Sequence, residues 1–142
     1  MKRNVKQMKS ILNKFASNPK SLFLMDGIGA AISFIILRFV LPKFQELIGM
    51  PTTILLNLSL FACVLLAYSA YCFFDVKNNL PNFLLGLAIA NCSYCLISFY
   101  FIITYFSELT WIGISYFILE KIIVLTLIYI EFKTANKLKN NI

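Results

Sequence analysis

Residues 109–130 read LTWIGISYFILEKIIVLTLIYI, a long apolar run that carries Glu120 and Lys121 at its centre. A run of this length can cross the hydrocarbon core of a bilayer as one helix. Hydrocarbon offers no solvent to an acidic or a basic side chain, so other parts of the chain must face these two residues. The stretch therefore predicts a membrane-embedded bundle with polar groups in its interior.

The composition of the whole chain favours the same fold. Of the 142 residues, 60% are hydrophobic and 15% are aromatic, whereas a soluble domain has about 45–50% apolar residues. The length suits four spans of about 20 residues each and leaves no room for a soluble catalytic domain. The predicted fold class is all-α: a polytopic membrane protein with a four-transmembrane-helix bundle and a basic amphipathic N-terminal segment.

The apolar runs also predict where the spans and their connections lie. The bundle covers 21–131, with spans at about 21–41, 52–74, 82–105 and 109–131. The first span is predicted to end before Pro42, because proline cannot continue the helical hydrogen-bond ladder. Residues 43–50 form an interfacial connection and 75–81 a turn-forming linker. Residues 1–20 are a basic cytoplasmic or interfacial N-terminal segment, and 132–142 are a basic cytoplasmic tail.

The net charge of +7 lies mainly at the two ends of the chain. Apolar residues recur at helical spacing in the basic N-terminal segment, which predicts an amphipathic helix on an anionic membrane surface. The expected partners are therefore the lipid bilayer and anionic lipid headgroups rather than nucleic acid. A signal peptide is the competing interpretation, but the following apolar run has no small-residue cleavage pattern.

The distribution of Lys and Arg predicts the orientation. With the N-terminus in the cytoplasm, ten cations lie on the inner side and two, Arg38 and Lys43, on the outer side. Positive residues favour the cytoplasmic side of a membrane. The expected localisation is an inner (cell) membrane, multi-pass, with both termini cytoplasmic.

Several classes of chemistry are disfavoured by the residue types. The chain has no histidine, which removes Ser/His/Asp and Cys/His catalytic arrangements and the commonest transition-metal ligand. No cluster has the spacing of a zinc or iron site, and no glycine-rich loop could hold a phosphate. We expect no catalytic residue, cofactor or metal.

The predicted topology concentrates polar side chains between the inner boundary and the midplane. The candidates for ligand or proton binding are Asp26, Tyr68, Ser69, Asn91, Tyr94, Glu120 and Lys121. On the first span, Asp26, Gly29, Ala30 and Ser33 share the face that should point into the bundle. Buried carboxylates could form a proton- or cation-responsive site. Alternatively, these groups only satisfy each other and fix helix register.

Adjacent helical residues point about 100° apart, so Glu120 and Lys121 are not expected to pair with each other. Lys121 could instead meet Asp26, or a homo-oligomer could cover it. Cys92 and Cys95 form a CxxC motif, which keeps open a thiol oxidoreductase that passes electrons to a quinone. That chemistry requires thiols open to the outer compartment, and these two lie within a predicted span.

The chain resembles small four-helix bacterial inner-membrane proteins that carry no assigned function. The resemblance rests on segments from all four spans: DGIGA (26–30), GMP (49–51), YSAYC (68–72), NCSYC (91–95) and YFILE (116–120). It implies the fold and no activity. The architecture also resembles small multidrug exporters, which have a carboxylate in the first helix at a position like that of Asp26, although the surrounding residues differ.

These observations predict a small binding or transport module with a buried carboxylate cluster and a polar cavity open toward the inner side. The alternative is a non-catalytic structural or accessory membrane subunit. A quinone-linked membrane oxidoreductase is the third possibility.

Overall fold

Long helices account for most of the chain in the computed structural model, which describes the backbone of residues 2–141 and the side chains of residues 3–141. No strand occurs in that range. The α-helices are α1 (Lys2–Ser17), α2 (Lys20–Ile35), α3 (Gln45–Ile48), α4 (Thr52–Phe74), α5 (Leu80–Thr104) and α6 (Trp111–Asn140). Four helical segments, Lys20–Ile48, Thr52–Phe74, Leu80–Thr104 and Trp111–Asn140, are long and apolar enough to cross a membrane, which suggests a multi-pass membrane protein.

The first long segment changes its helix type around Pro42. The α-helix ends at Ile35, a π-helical turn covers Ile36–Val40, and a 3-10 turn covers Leu41–Phe44. In the π-turn the Leu41 N–H donates to the carbonyl of Ile36. Proline has no N–H of its own, so a local change in the hydrogen-bond register is expected just before Pro42. The helical path therefore continues past Pro42 instead of ending there.

The N-terminal segment forms a helix, as its apolar spacing predicts, and the C-terminal segment is more helical than the polar tail that the sequence predicts. Helix α1 packs on α6 and α2, and it leaves Val5, Met8 and Ile11 exposed. Helix α6 extends to Asn140, so most of the segment predicted as a tail belongs to the last helix. Since a helix rises about 1.5 Å per residue, α6 is longer than a bilayer crossing requires.

Contacts at the helix ends show that the four long helices alternate in direction. At one end, Lys20 Nζ donates to the carbonyl of Phe73 at 3.0 Å, which joins the start of α2 to the end of α4. Lys137 contacts Asn13 at the same end, which we call the terminal end. At the opposite end, the Thr110 N–H donates to the carbonyl of Ile48 at 3.1 Å.

Helix α2 packs along α4, α5 packs along α6, and α4 joins the two pairs through α5. Close approach of α2 and α4 is possible at Gly27, where an added Cβ would stand 3.5 Å from Cβ of Ser69. The outer faces of the helices are apolar and exposed. Examples are Leu60, Val64, Leu96, Phe99, Ile118 and Ile122. Such faces suit lipid contact.

Gly113 is the point at which α6 meets the connection before α4. We expect Gly113→Ala to lower the midpoint temperature of thermal unfolding in detergent, because the added Cβ would overlap the backbone carbonyl oxygen of Ile48. Strain against backbone typically costs about 1–3 kcal/mol. Gly29→Ala is the matched control, since its added Cβ meets nothing within 4 Å. Equal midpoints for the two variants would contradict this packing.

Candidate binding site between the four helices

One polar residue from each long helix meets the others inside the bundle, and we call this group the carboxylate junction: Asp26 (α2), Ser69 (α4), Asn91 (α5) and Glu131 (α6). Ser69 Oγ donates to Asp26 Oδ2 at 2.6 Å. Asn91 Nδ2 donates to Asp26 Oδ1 at 2.7 Å and to Glu131 Oε2 at 3.4 Å. All four residues are buried. The single Asn91 amide therefore links two carboxylates.

No lysine or arginine among residues 3–141 forms an ion pair with the carboxylate junction. Among residues 3–141, the sole ion pair within 4.0 Å joins Lys121 to Glu120, which belongs to a different group. An isolated buried carboxylate is costly in a medium of low dielectric constant, and two close together cost more. The junction therefore favours the entry of positive charge.

A second polar group lies further from the terminal end. Tyr94 Oη donates to Glu120 Oε1 at 2.6 Å, and Lys121 Nζ donates to Glu120 Oε2 at 2.8 Å. The Lys121 ammonium also stands 4.6 Å from the centroid of the Tyr94 ring. The charge of Glu120 is thus matched by a lysine from its own helix.

A cavity of about 180 Å³ lies between the two polar groups and is lined by all four long helices. Asp26 and Asn91 line it toward the terminal end, whereas Tyr94 and Glu120 line it further along. Most of the remaining lining is apolar. It consists of Gly29, Ala30, Ile32, Ser33, Ala62, Leu65, Ile123, Val124 and Leu127.

Part of the cavity lining is exposed on the outside of the bundle. Its two exposed lining residues are Ile32 on α2 and Ile123 on α6, each with about half of its surface accessible. The sequence predicted a polar cavity open toward the inner side, and the mostly apolar lining differs from that expectation. The predicted inward face of α2 does line the cavity, because Asp26, Gly29, Ala30 and Ser33 all contribute to it.

The sequence-predicted site residues lie in three separate parts of the bundle. Asp26, Ser69 and Asn91 meet in the carboxylate junction, whereas Tyr94, Glu120 and Lys121 form the second group. Tyr68 belongs to neither. Its hydroxyl donates to the carbonyl of Phe83 at 3.0 Å, in the space that Gly86 leaves open.

The expectation that Glu120 and Lys121 do not pair was wrong. Their Cα–Cβ bonds diverge, but the long lysine side chain curves back over the Tyr94 ring and places its ammonium on the neighbouring carboxylate. Lys121 does not meet Asp26. Asp26 therefore has no ion-pair partner among residues 3–141.

Glu131 is the member of the carboxylate junction that the sequence analysis did not predict. The predicted fourth span ended near this residue, so Glu131 was not among the candidate site residues. Because α6 continues to Asn140, Glu131 lies inside the bundle and is fully buried. Thr134, one turn later, is fully buried too. The available signal was the spacing of Glu131 and Thr134 at i and i+3 on one helix face.

The four cysteines are free thiols, and Cys92 and Cys95 form no disulfide. Cys92 lies exposed on the outer face of α5 whereas Cys95 is buried. Comparisons with protein-family models, with curated proteins and with solved structures find no match to this chain.

Proposed function

We propose that the chain is a multi-pass protein of an inner (cell) membrane and acts as a small binding or transport module for a cationic ligand. The four long apolar segments support membrane insertion. The helix directions put ten of the Lys and Arg residues at or near the terminal end and Arg38 and Lys43 at the opposite end. By the preference of positive residues for the cytoplasm, both termini are cytoplasmic.

The observation that carries this proposal is a cavity whose wall includes a carboxylate without a basic partner. Asp26 accepts hydrogen bonds from Ser69 and Asn91, which orient it but bring no positive charge. A cation in the cavity would supply that charge. The electrostatic attraction is large because the surroundings have a low dielectric constant.

The lining of the cavity indicates which cation fits. A mostly apolar cavity with a few fixed polar groups is typical of sites for small organic molecules. The volume of about 180 Å³ suits a compact ligand. We therefore assign the site to a small organic ammonium ion, with its charge on Asp26 and its apolar part between Ile32 and Ile123.

The place of the cavity also supports transport. It lies within the bundle, and its exposed lining residues, Ile32 on α2 and Ile123 on α6, would offer a path for a partly apolar ligand from the lipid. Transporter sites commonly lie near the bilayer midplane at the junction of helices. Helix α1 (Lys2–Ser17), with five cations and an exposed apolar edge, would meanwhile hold anionic lipid headgroups at the cytoplasmic surface.

Two probes of similar shape test the proposal. We expect benzylammonium to raise the midpoint of thermal unfolding of the purified protein in a saturable way, because a ligand that binds only the folded state stabilises it. Uncharged benzyl alcohol should produce little or no shift. Gly29→Leu should abolish the benzylammonium shift by filling the cavity, whereas Gly29→Ala should retain it, since the space beside this glycine is open.

The same shift with both probes, or an unchanged benzylammonium shift in Gly29→Leu, would overturn the proposal. One observation favours the accessory subunit as a second candidate: the carboxylate junction joins all four helices by hydrogen bonds. In that role the junction fixes helix register, and no cation would stabilise the protein.

A further inference from the structure

A groove of about 340 Å³ lies between α1 and α6 on the outside of the bundle, and we call it the α1–α6 groove. Its lining consists of Asn4, Val5, Met8 and Lys9 from α1 and Tyr129 from α6. Val5, Met8 and Tyr129 are exposed. The contact between Lys137 and Asn13 also joins the two helices. The groove therefore combines apolar walls with an amide and an ammonium group.

Two lysines stand beside this groove without a carboxylate. Lys9 lines it, and the ammonium group of Lys133 lies 5.7 Å from the centroid of the Tyr129 ring. Neither lysine forms an ion pair among residues 3–141. Helix α1 has no acidic residue, and Glu131, two residues after Tyr129, is fully enclosed inside the bundle. The positive charge at the groove favours an anion.

The position of the groove along α6 indicates the kind of anion. From Trp111, an exposed aromatic residue at the opposite end, α6 rises about 27 Å to Tyr129. The hydrocarbon core of a bilayer is about 30 Å thick, and Trp and Tyr are frequent at its two boundaries. Lys133 lies one turn beyond Tyr129. In the proposed membrane orientation, the groove lies at the depth of the lipid headgroups.

The surface next to the groove suits the rest of a lipid molecule. Ile122 and Leu125 precede Tyr129 by seven and four residues on α6, so the three side chains share one helix face. More than half of the surface of Ile122 and of Leu125 is exposed. An acyl chain would cover this face while the phosphate contacts the lysines. A free phosphate ion would leave the apolar face uncovered.

We propose that the α1–α6 groove binds one anionic phospholipid with a single phosphodiester, of the phosphatidylglycerol type. Lys9 and Lys133 contact the phosphodiester, and an acyl chain lies along Ile122 and Leu125. The inference deepens the proposed function and rests on it in one respect: α1 lies at the cytoplasmic membrane surface. It replaces a general attraction between α1 and anionic lipids with one site built from two helices.

The test is native mass spectrometry of the purified full-length protein in a neutral detergent, titrated with dioleoyl phosphatidylglycerol or with zwitterionic dioleoyl phosphatidylcholine. We expect the first phosphatidylglycerol molecule to bind about tenfold more tightly than phosphatidylcholine, because only the former has a net negative charge. Equal affinities would overturn the inference. Glycerophosphoglycerol, the same headgroup without acyl chains, should not displace the lipid. Displacement at equal concentration would assign the groove to a soluble phosphate compound and overturn the lipid site.

Three variants that each remove one exposed lysine locate the binding. Lys9→Gln and Lys133→Gln should each weaken phosphatidylglycerol binding about fivefold, the contribution typical of one lysine near an anionic membrane surface. Lys6→Gln is the matched control, because it removes the same charge from α1 outside the lining of the groove. It should bind the lipid as the parent does. An equal loss in Lys6→Gln and Lys9→Gln would show attraction by total charge and contradict the site.

The two proposals fail separately. A parent that responds to benzylammonium but does not prefer phosphatidylglycerol overturns the lipid site alone. A parent that prefers phosphatidylglycerol but does not respond to benzylammonium overturns the organic-cation cavity and retains the α1–α6 groove.

Discussion

Replacing Asn91 with leucine is expected to lower the free energy of unfolding of the bundle by about 2–6 kcal/mol, because a buried polar group left without its partner typically costs about 1–3 kcal/mol and two carboxylates lose a donor. The reason is that one amide donates to both Asp26 and Glu131. Leucine fills nearly the same space but leaves an oxygen of each carboxylate without its donor. The loss should far exceed that of an ordinary interhelical hydrogen bond, which averages about 0.6 kcal/mol in a membrane protein.

Reversible unfolding in mixed detergent would measure this change. Asn57→Leu makes the same substitution at an exposed position of α4 and should leave the stability close to that of the parent. A triple variant in which Asp26, Asn91 and Glu131 all become leucine should recover much of the loss, since no buried carboxylate remains. Equal stability of Asn91→Leu and Asn57→Leu would contradict the carboxylate junction.

The structure differs from the sequence-based expectations where helix length and side-chain reach decide the outcome. Apolar runs were sufficient to predict four long helices, because a bilayer-length run has few other structures available. The helical period was sufficient to predict that Asp26 and Ser33 face the interior. The end of α6 was not predictable from hydropathy, since the polar residues after Glu131 continue the helix to Asn140.

Side-chain partners were harder to predict than helix faces. Tyr68 and Ser69 are neighbours in sequence and both looked like members of one cluster. The Tyr68 hydroxyl donates to the carbonyl of Phe83, whereas the Ser69 hydroxyl donates to Asp26, because adjacent residues point in different directions around a helix. Lys121 nevertheless pairs with the adjacent Glu120, because its side chain is long enough to reach back to that carboxylate.

The second large effect concerns ligand affinity at Asp26. We expect Asp26→Asn to weaken benzylammonium binding at least 100-fold, or about 2.7 kcal/mol, because asparagine keeps the shape of the side chain but removes its charge. The affinity can be measured by titration calorimetry in detergent. Asn91 and Ser69 still provide hydrogen-bonding partners, so we expect the variant to fold.

Asp75→Asn is the matched control for this substitution. Asp75 is an exposed aspartate in the linker after α4. Its replacement should leave the affinity for benzylammonium equal to that of the parent. If Asp26→Asn binds benzylammonium as tightly as the Asp75 variant does, the ligand does not depend on the charge of Asp26, and the assignment of the site fails.

The most direct test of the organic-cation site is the position of a bound ligand. Crystals of the protein grown with 4-bromobenzylammonium can be measured at the bromine absorption edge, where anomalous scattering locates the bromine atom. Our account predicts a bromine peak inside the bundle between Ile32 and Ile123, with the ammonium group within hydrogen-bonding distance of Asp26. Bromine peaks found only on the outer helix faces, with the cavity empty, would contradict it.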